Sequence, residues 1–204
     1  VPAEALKYLE DKIKVYPNST AVEVCQDRLK EKNLFQENGI PITEYKKINS
    51  KDDLISAIDD LGKDSILKSR KLGYDGKNQI RMDSCTPENA WTRSSGVDAI
   101  LEKKINFKTE VSLIGVRTKT QKTFFYPLVE NFHENGILNM SIAPYENKIL
   151  QEQAQHYHNL ITGKLNYIGV LVIEFFINND GKLIANEMAP RVHNSGHWTN
   201  EGAD

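Results

Sequence analysis

Val170-Leu171-Val172-Ile173-Glu174-Phe175-Phe176-Ile177 and the returning Lys182-Leu183-Ile184-Ala185-Asn186-Glu187-Met188 flank the turn Asn178-Asn179-Asp180-Gly181. Two strand-forming runs around such a turn predict a β-hairpin over Ile168 to Ile177 and Lys182 to Met188. Glu174 stands inside the more apolar run, where an unpaired carboxylate is expensive to bury. If Ile177 pairs with Lys182, Ala185 faces Glu174 and Glu187 is its diagonal same-face neighbour. If Asn178 pairs with Leu183, Glu187 is directly opposite. Either register brings the carboxylates within roughly 5–8 Å between Cβ atoms, where like charges repel unless a cation separates them. Hard oxygen ligands on strands suit Mg²⁺. The competing reading is a register slip that leaves one glutamate in solvent, or a lysine that pairs it.

Working outward, Asn147 to Leu165 carries Leu150, Ala154, Tyr157, Leu160 and Ile161 at helical spacing. Glu110 to Thr118 and Thr123 to Val129 alternate around a polar turn and predict another hairpin. Ser65 to Ser69, Asn78 to Met82, Ala99 to Lys103 and Thr43 to Ile48 predict strands. Ser50 can cap a short amphipathic helix closed by Gly62, and Ser19 or Thr20 a helix running to about Asn38 with Gly39 beyond it. Ala3 to Lys14 is helix-like. Short helices mixed with antiparallel hairpins indicate an α+β fold. The stretch around Pro41 and the region around Asn106 are candidate hinges bounding a small lobe.

The 204 residues carry 26 basic and 28 acidic side chains, for a net charge of −2. That balance argues against a nucleic-acid or anionic-membrane partner, since both demand a basic excess. No apolar run approaches the roughly 20 residues of a membrane helix. Cys25 and Cys85 make neither a zinc site nor a disulfide framework alone, and read as reduced thiols of a cytoplasmic protein. Val1 in place of a start methionine, and the unfinished Asn200-Glu201-Gly202-Ala203-Asp204, suggest a piece of a longer protein.

Beyond Glu187 the chain reads Met188-Ala189-Pro190-Arg191-Val192-His193-Asn194-Ser195-Gly196-His197-Trp198. His193 and His197 have the spacing of a helical zinc pair, but Asn194-Ser195-Gly196 is poor helix and no glutamate follows the first histidine. Arg191 is better read as an anion ligand, its guanidinium fork matching a planar oxyanion. A plain surface arginine is the alternative. Lys68-Ser69-Arg70-Lys71-Leu72-Gly73-Tyr74-Asp75-Gly76-Lys77-Asn78-Gln79 joins two strands with glycines and cations that could cradle phosphates. No Walker Gly-Lys-Ser/Thr is present, and a solvated hairpin tip reads equally from the residues alone.

Together these segments resemble the ATP-grasp family, and within it the branch that carboxylates 5-aminoimidazole ribonucleotide. The resemblance rests on Gly73-Tyr74-Asp75-Gly76-Lys77, Ile105-Asn106-Phe107 with Glu110-Val111-Ser112-Leu113, Phe125-Tyr126-Pro127-Leu128, and the run from Asn186 to Trp198. Ala189, where other ATP-grasp enzymes usually carry asparagine, marks this branch. Leu72 and Asn78 depart from it, standing where glycine is common.

The resemblance implies an α+β ATP-grasp fold of two lobes, each an antiparallel sheet with helices, holding the nucleotide between them. Residues 1–18 would be the remnant of a preceding domain and 19–204 the ATP-grasp domain. A small lid lobe would span about 41–104 and a larger lobe about 105–204, with a following domain absent. Lys68, Gly73, Tyr74, Asp75, Gly76, Lys77, Asn78 and Gln79 would hold the ATP phosphates. Glu102, Lys103, Lys104 and Ile105 would form the hinge strand whose backbone reads adenine, and Glu110 would take the ribose. Arg28 and His133 match further nucleotide contacts. Glu174 and Glu187 would hold Mg²⁺ with Asn186 alongside, and Arg191 and His193 would be catalytic, meeting bicarbonate or the carboxyphosphate made from it. The implied enzyme is a cytoplasmic ligase of de novo purine (IMP) biosynthesis. It would use ATP and bicarbonate to carboxylate 5-aminoimidazole ribonucleotide, releasing ADP and phosphate, as a homodimer at full length. Another ATP-grasp carboxylase of the biotin-dependent kind, or a nucleotide-binding fragment without turnover, are the alternatives.

Overall fold

The computed structural model describes residues 1–71, 79–134 and 136–200. Three helices open the chain: α1 (Ala3–Glu10), α2 (Ser19–Cys25) and α3 (Arg28–Glu37). The single helix expected from Ser19 to Asn38 is therefore two. Asn18, rather than Ser19 or Thr20, caps α2 by accepting from the Ala21 amide at 2.8 Å. Asp27 interrupts the run, because its carboxylate caps α3 through the Leu29 amide at 3.0 Å. A buried cap with an arginine partner outweighs the helix propensity of the surrounding residues.

The small sheet comprises β1 (Tyr45–Ile48), β2 (Ser65–Ser69), β3 (Gln79–Arg81) and β4 (Ala99–Lys103), in the antiparallel order β1-β4-β2-β3. Helix α4 (Lys51–Leu61) follows β1, and Ser50 with Asp53 forms the reciprocal capping pair at its start. Its Leu54, Ala57 and Leu61 pack with Ile48, Leu67, Ile80, Met82, Ala90, Ala99 and Leu101 to make one core. Helix α5 (Pro87–Arg93), unforeseen in the sequence, supplies Ala90; Thr86 caps it and Pro87 occupies its first turn.

The large sheet runs β10 (Leu183–Ala189), β9 (Gly169–Asn178), β5 (Phe107–Arg117), β7 (Val129–Glu134), β8 (Ile137–Ile142), with the short β6 (Thr123–Phe125) also on β5. The hairpin expected to continue to Val129 ends at Phe125. Pro127 cannot donate to the ladder, and the chain rejoins β5 lower down as β7. Helix α6 (Lys148–Lys164) packs across β5, β9 and β10. Its Leu150, Ala154 and Ile161 meet Val111, Leu113, Leu171, Ile173 and Phe175, and Ala21 and Phe35 of α2 and α3 join the same core. The stretch read as a hinge at Pro41 is tied to β10, where the Ala185 amide donates to the Pro41 carbonyl at 2.7 Å.

Helix α6 approaches β5 most closely at Gly115. A Cβ there would lie 2.5 Å from Nε2 of His158, whose ring is fully buried. Gly115→Ala should therefore cost about 1–3 kcal/mol through overpacking, read as a shift of the urea midpoint. Burial holds His158 down at about 4, below its ordinary 6.5. Between those pH values the unfolded chain binds the proton and the folded one does not, so stability falls as pH drops from 6.5 to about 4. The His158 ring resonance should titrate near the lower value, and urea unfolding should show the matching loss.

Candidate functional site

The hairpin that decides the fold also builds the site: at the glutamates it takes the register that sets Glu187 directly opposite Glu174, reached through a bulge that neither simple pairing includes. Leu183 faces Ile177 and Ala185 faces Phe175, but Glu187 faces Glu174, because one extra residue, Asn186, is bulged out between them. An unbroken ladder from Leu183–Ile177 would set Asn186 opposite Glu174 and turn Glu187 to the other face, beside Ile173. The bulge reverses that alternation from Glu187 onward. Two carboxylates thus meet directly across adjacent strands.

Their surroundings differ. Glu174 is 5 % exposed; its Oε1 lies 3.4 Å from the Ser112 hydroxyl and 3.3 Å from Nδ1 of His193. Ser112 in turn accepts from Asn131 at 2.6 Å, and Asn131 from Ser141 at 2.9 Å. Burial, then the charges of Glu187 and Glu110, push the Glu174 carboxyl well above the usual carboxylate range. Burial alone would raise Glu187 too, but Arg28, 3.2 Å away, holds it below its ordinary value. Burial pulls His193 down, against the attraction of Glu187.

Ligand atoms of Glu174, Glu187 and His193 all lie within 4.8 Å of one another, the one such metal-competent cluster among the described residues. Paired carboxylates, one of them disfavoured as an anion, fit a hard divalent cation that would relieve their repulsion. Lys68 of β2 donates to Glu102 of β4 at 2.7 Å, and Lys32 of α3 lies 3.6 Å from the other Glu102 oxygen. Burial would raise Glu102, but these two ammonium groups bring it down to about 2.

The structure thus gathers Arg28, Asn186, Glu187, Glu174 and His193 at one place, with Lys68 and Glu102 paired nearby. Glu110 and His133 form their own pair at 2.9 Å, which raises the histidine. Arg191 is exposed, its guanidinium donating to the Val192 carbonyl at 2.7 Å. Lys103 and Lys104 pair with Glu44 and Asp64 at 2.6 and 3.3 Å. Ile105 follows the end of β4, and Gln79 is the exposed first residue of β3. Gly73, Tyr74, Asp75, Gly76, Lys77 and Asn78 lie outside the described residues. The sequence reading passed over Glu31 and Lys32, which follow Arg28 at helical spacing and were therefore open to notice.

Residues 33–204 match the ATP-grasp domain. The chain is 43% identical to N5-carboxyaminoimidazole ribonucleotide synthase of Pseudomonas aeruginosa over all of its own length and 56% of that protein's. The same enzyme of Aquifex aeolicus is 37% identical over 98% of this chain and 54% of its own. The crystal structure of N5-carboxyaminoimidazole ribonucleotide synthetase from Thermus thermophilus superposes with a TM-score of 0.89 at 40% identity, covering 98% of this chain and 55% of that one. The Aspergillus clavatus synthase, solved with ADP and 5-aminoimidazole ribonucleotide, gives a TM-score of 0.87 at 27% identity, over 98% and 54% of the respective chains. The chain spans about half the length of the curated relatives it matches.

Glu102→Gln would leave the Lys32 and Lys68 ammonium groups with an uncharged partner in a buried place. A loss of about 3–5 kcal/mol is expected, measured by denaturant unfolding. Adding Lys32→Met should recover part of it.

Proposed function

The chain belongs to the ATP-grasp family, and on that premise we propose that it is the nucleotide-binding portion of a 5-(carboxyamino)imidazole ribonucleotide synthase. The reaction is carboxylation of the amine of 5-aminoimidazole ribonucleotide by bicarbonate, with ATP converted to ADP and phosphate, in de novo purine synthesis. The observation that carries this reading is the direct opposition of Glu174 and Glu187 across the bulge. The names of the relatives, and the ADP and 5-aminoimidazole ribonucleotide in the Aspergillus clavatus structure, support the choice of substrates.

In this reading Glu174 and Glu187 hold Mg²⁺, with Asn186 alongside. A divalent ion held there would supply positive charge against the ATP phosphates. Lys68 and the segment from Gly73 to Gln79 hold the phosphates. The backbone from Glu102 to Ile105 reads adenine, Glu110 takes the ribose, and His133 supports it through its short contact with Glu110. Arg28 fixes the Glu187 carboxylate and keeps it ionised, ready to ligate.

Arg191, exposed and donating to the neighbouring Val192 carbonyl, would exchange that partner for a bicarbonate oxyanion. His193, whose proton affinity is lowered by burial against the pull of Glu187, would receive a proton from bicarbonate or the acceptor amine. The small lobe, about 41–104, acts as a lid that closes the site against water, which protects carboxyphosphate from hydrolysis. The acceptor's own phosphate is met by domains preceding and following this one, in a homodimer.

The test uses the full-length protein. ADP release should depend on bicarbonate and be stimulated by 5-aminoimidazole ribonucleotide, with biotin inert. Glu187→Gln should lower kcat by on the order of 10²-fold or more while unfolding remains cooperative. Wild-type turnover in that variant at ordinary Mg²⁺ would remove the carboxylate pair from the reaction.

A further inference from the structure

Strand β10 is an edge strand of the large sheet, bulged at Asn186, so backbone groups on its outer side have no ladder partner and must find others when buried. Three are satisfied from outside the hairpin. The Ala185 amide donates to the Pro41 carbonyl at 2.7 Å. The Asn186 carbonyl accepts from Nζ of Lys32 at 2.8 Å. The Met188 amide donates to Oε1 of Glu31 at 2.6 Å. Glu31 and Lys32 therefore grip the backbone on either side of Glu187, while Arg28, one helical turn earlier, holds the Glu187 carboxylate itself.

Both gripping side chains are 1–3% exposed, and two ionisable side chains buried this far are costly unless each finds a hydrogen-bond partner. Lys32 sits closer to the Asn186 carbonyl, at 2.8 Å, than to the Glu102 carboxylate, at 3.6 Å. Its geometry follows the bulge rather than the ion pair. Without partners for the Asn186 carbonyl and the Met188 amide, the favourable alternative is the unbroken ladder, which turns Glu187 away from Glu174.

We infer that Glu31 and Lys32 are positioning residues for the proposed metal site, a clamp on the β10 backbone that fixes the bulge and so aims Glu187 at Glu174. The inference rests on the reading of Glu174 and Glu187 as cation ligands. Glu31 acts as a hydrogen-bond acceptor and Lys32 as a donor; neither touches the cation.

Mn²⁺ titrated by electron paramagnetic resonance into the full-length protein saturated with ADP tests it. Glu187→Gln is the control for the site: if it leaves Mn²⁺ affinity unchanged, the metal reading fails and takes the clamp with it. If that control weakens Mn²⁺, Glu31→Ala should also weaken it, about 10–100-fold. Glu31→Gln, whose amide oxygen can still accept from Met188, should stay within about threefold of wild type, a rescue that follows from one retained acceptor. A residue that merely stabilised the fold would change the urea midpoint and leave Mn²⁺ affinity alone. Lys32→Met is the independent arm and should weaken Mn²⁺ as Glu31→Ala does; it decides the matter if Glu31→Ala does not fold. Hydrogen exchange gives a readout without metal: the Met188 amide should be protected in wild type and Glu31→Gln. Folded Glu31→Ala or Lys32→Met with wild-type Mn²⁺ affinity would overturn the clamp, as would equal losses in Glu31→Gln and Glu31→Ala.

Discussion

Two carboxylates face each other across neighbouring strands, the buried Glu174 from β9 and the partly exposed Glu187 from β10. Such an arrangement opposes its own formation, and much of the surrounding structure can be understood as what makes it tolerable. Arg28 carries the compensating charge to one carboxylate, and His193 and Ser112 take up the other. Helix α3 must lie where it does for Arg28, Glu31 and Lys32 to reach β10 together. Asp27 therefore has to start that helix, and Arg70 holds Asp27 with paired bonds of 3.0 and 2.6 Å.

Those bonds also join the lobes. Arg70 follows β2 of the small sheet directly, and its carbonyl accepts from the Arg28 amide at 3.0 Å. Lys68, two residues earlier, shares Glu102 with Lys32. The strand leading into the glycine-bearing segment is thus anchored to the helix that grips the metal-facing strand. Charged groups arranged in this way are costly to bury singly but stable as a connected set, because each has more than one partner.

Much of this was legible in the sequence and some was not, for reasons that separate local from tertiary causes. Strands β2 and β4 and helix α4 follow from residues that sit within them: Ser50 at the cap, Gly62 at the end, apolar residues at the right spacing. The carboxylate pair was visible as two glutamates at compatible positions in one hairpin. Direct opposition was one of the two registers open to the sequence, but the bulge that produces it was not legible, since the partners of its backbone, Lys32 and Glu31, lie 154 and 157 positions away. The break between α2 and α3 escaped for the same kind of reason, as Asp27 is a cap because Arg70 is there. Strand β8 was missed although Leu138 to Ile142 alternates apolar and polar residues; its apolar Ile137, Met140 and Ile142 are exposed rather than buried in a core. Arg28, Asn186 and His193 were read from motif resemblance, and the geometry now gives each a physical neighbour.

Gly115 and His158 carry a different kind of consequence. The glycine weakens the longest strand of the large sheet, and the histidine is a polar ring in an apolar layer, so neither residue is a good choice by itself. Each makes sense only given the other, the missing side chain being the space that the ring fills. The two positions behave as one heritable character. A lineage that enlarges residue 115 must shrink residue 158 at nearly the same time, or pass through a less stable intermediate. Variation at this contact is accordingly expected in pairs, and a single exchange in either position marks a protein that has repacked the interface between its central strand and its long helix.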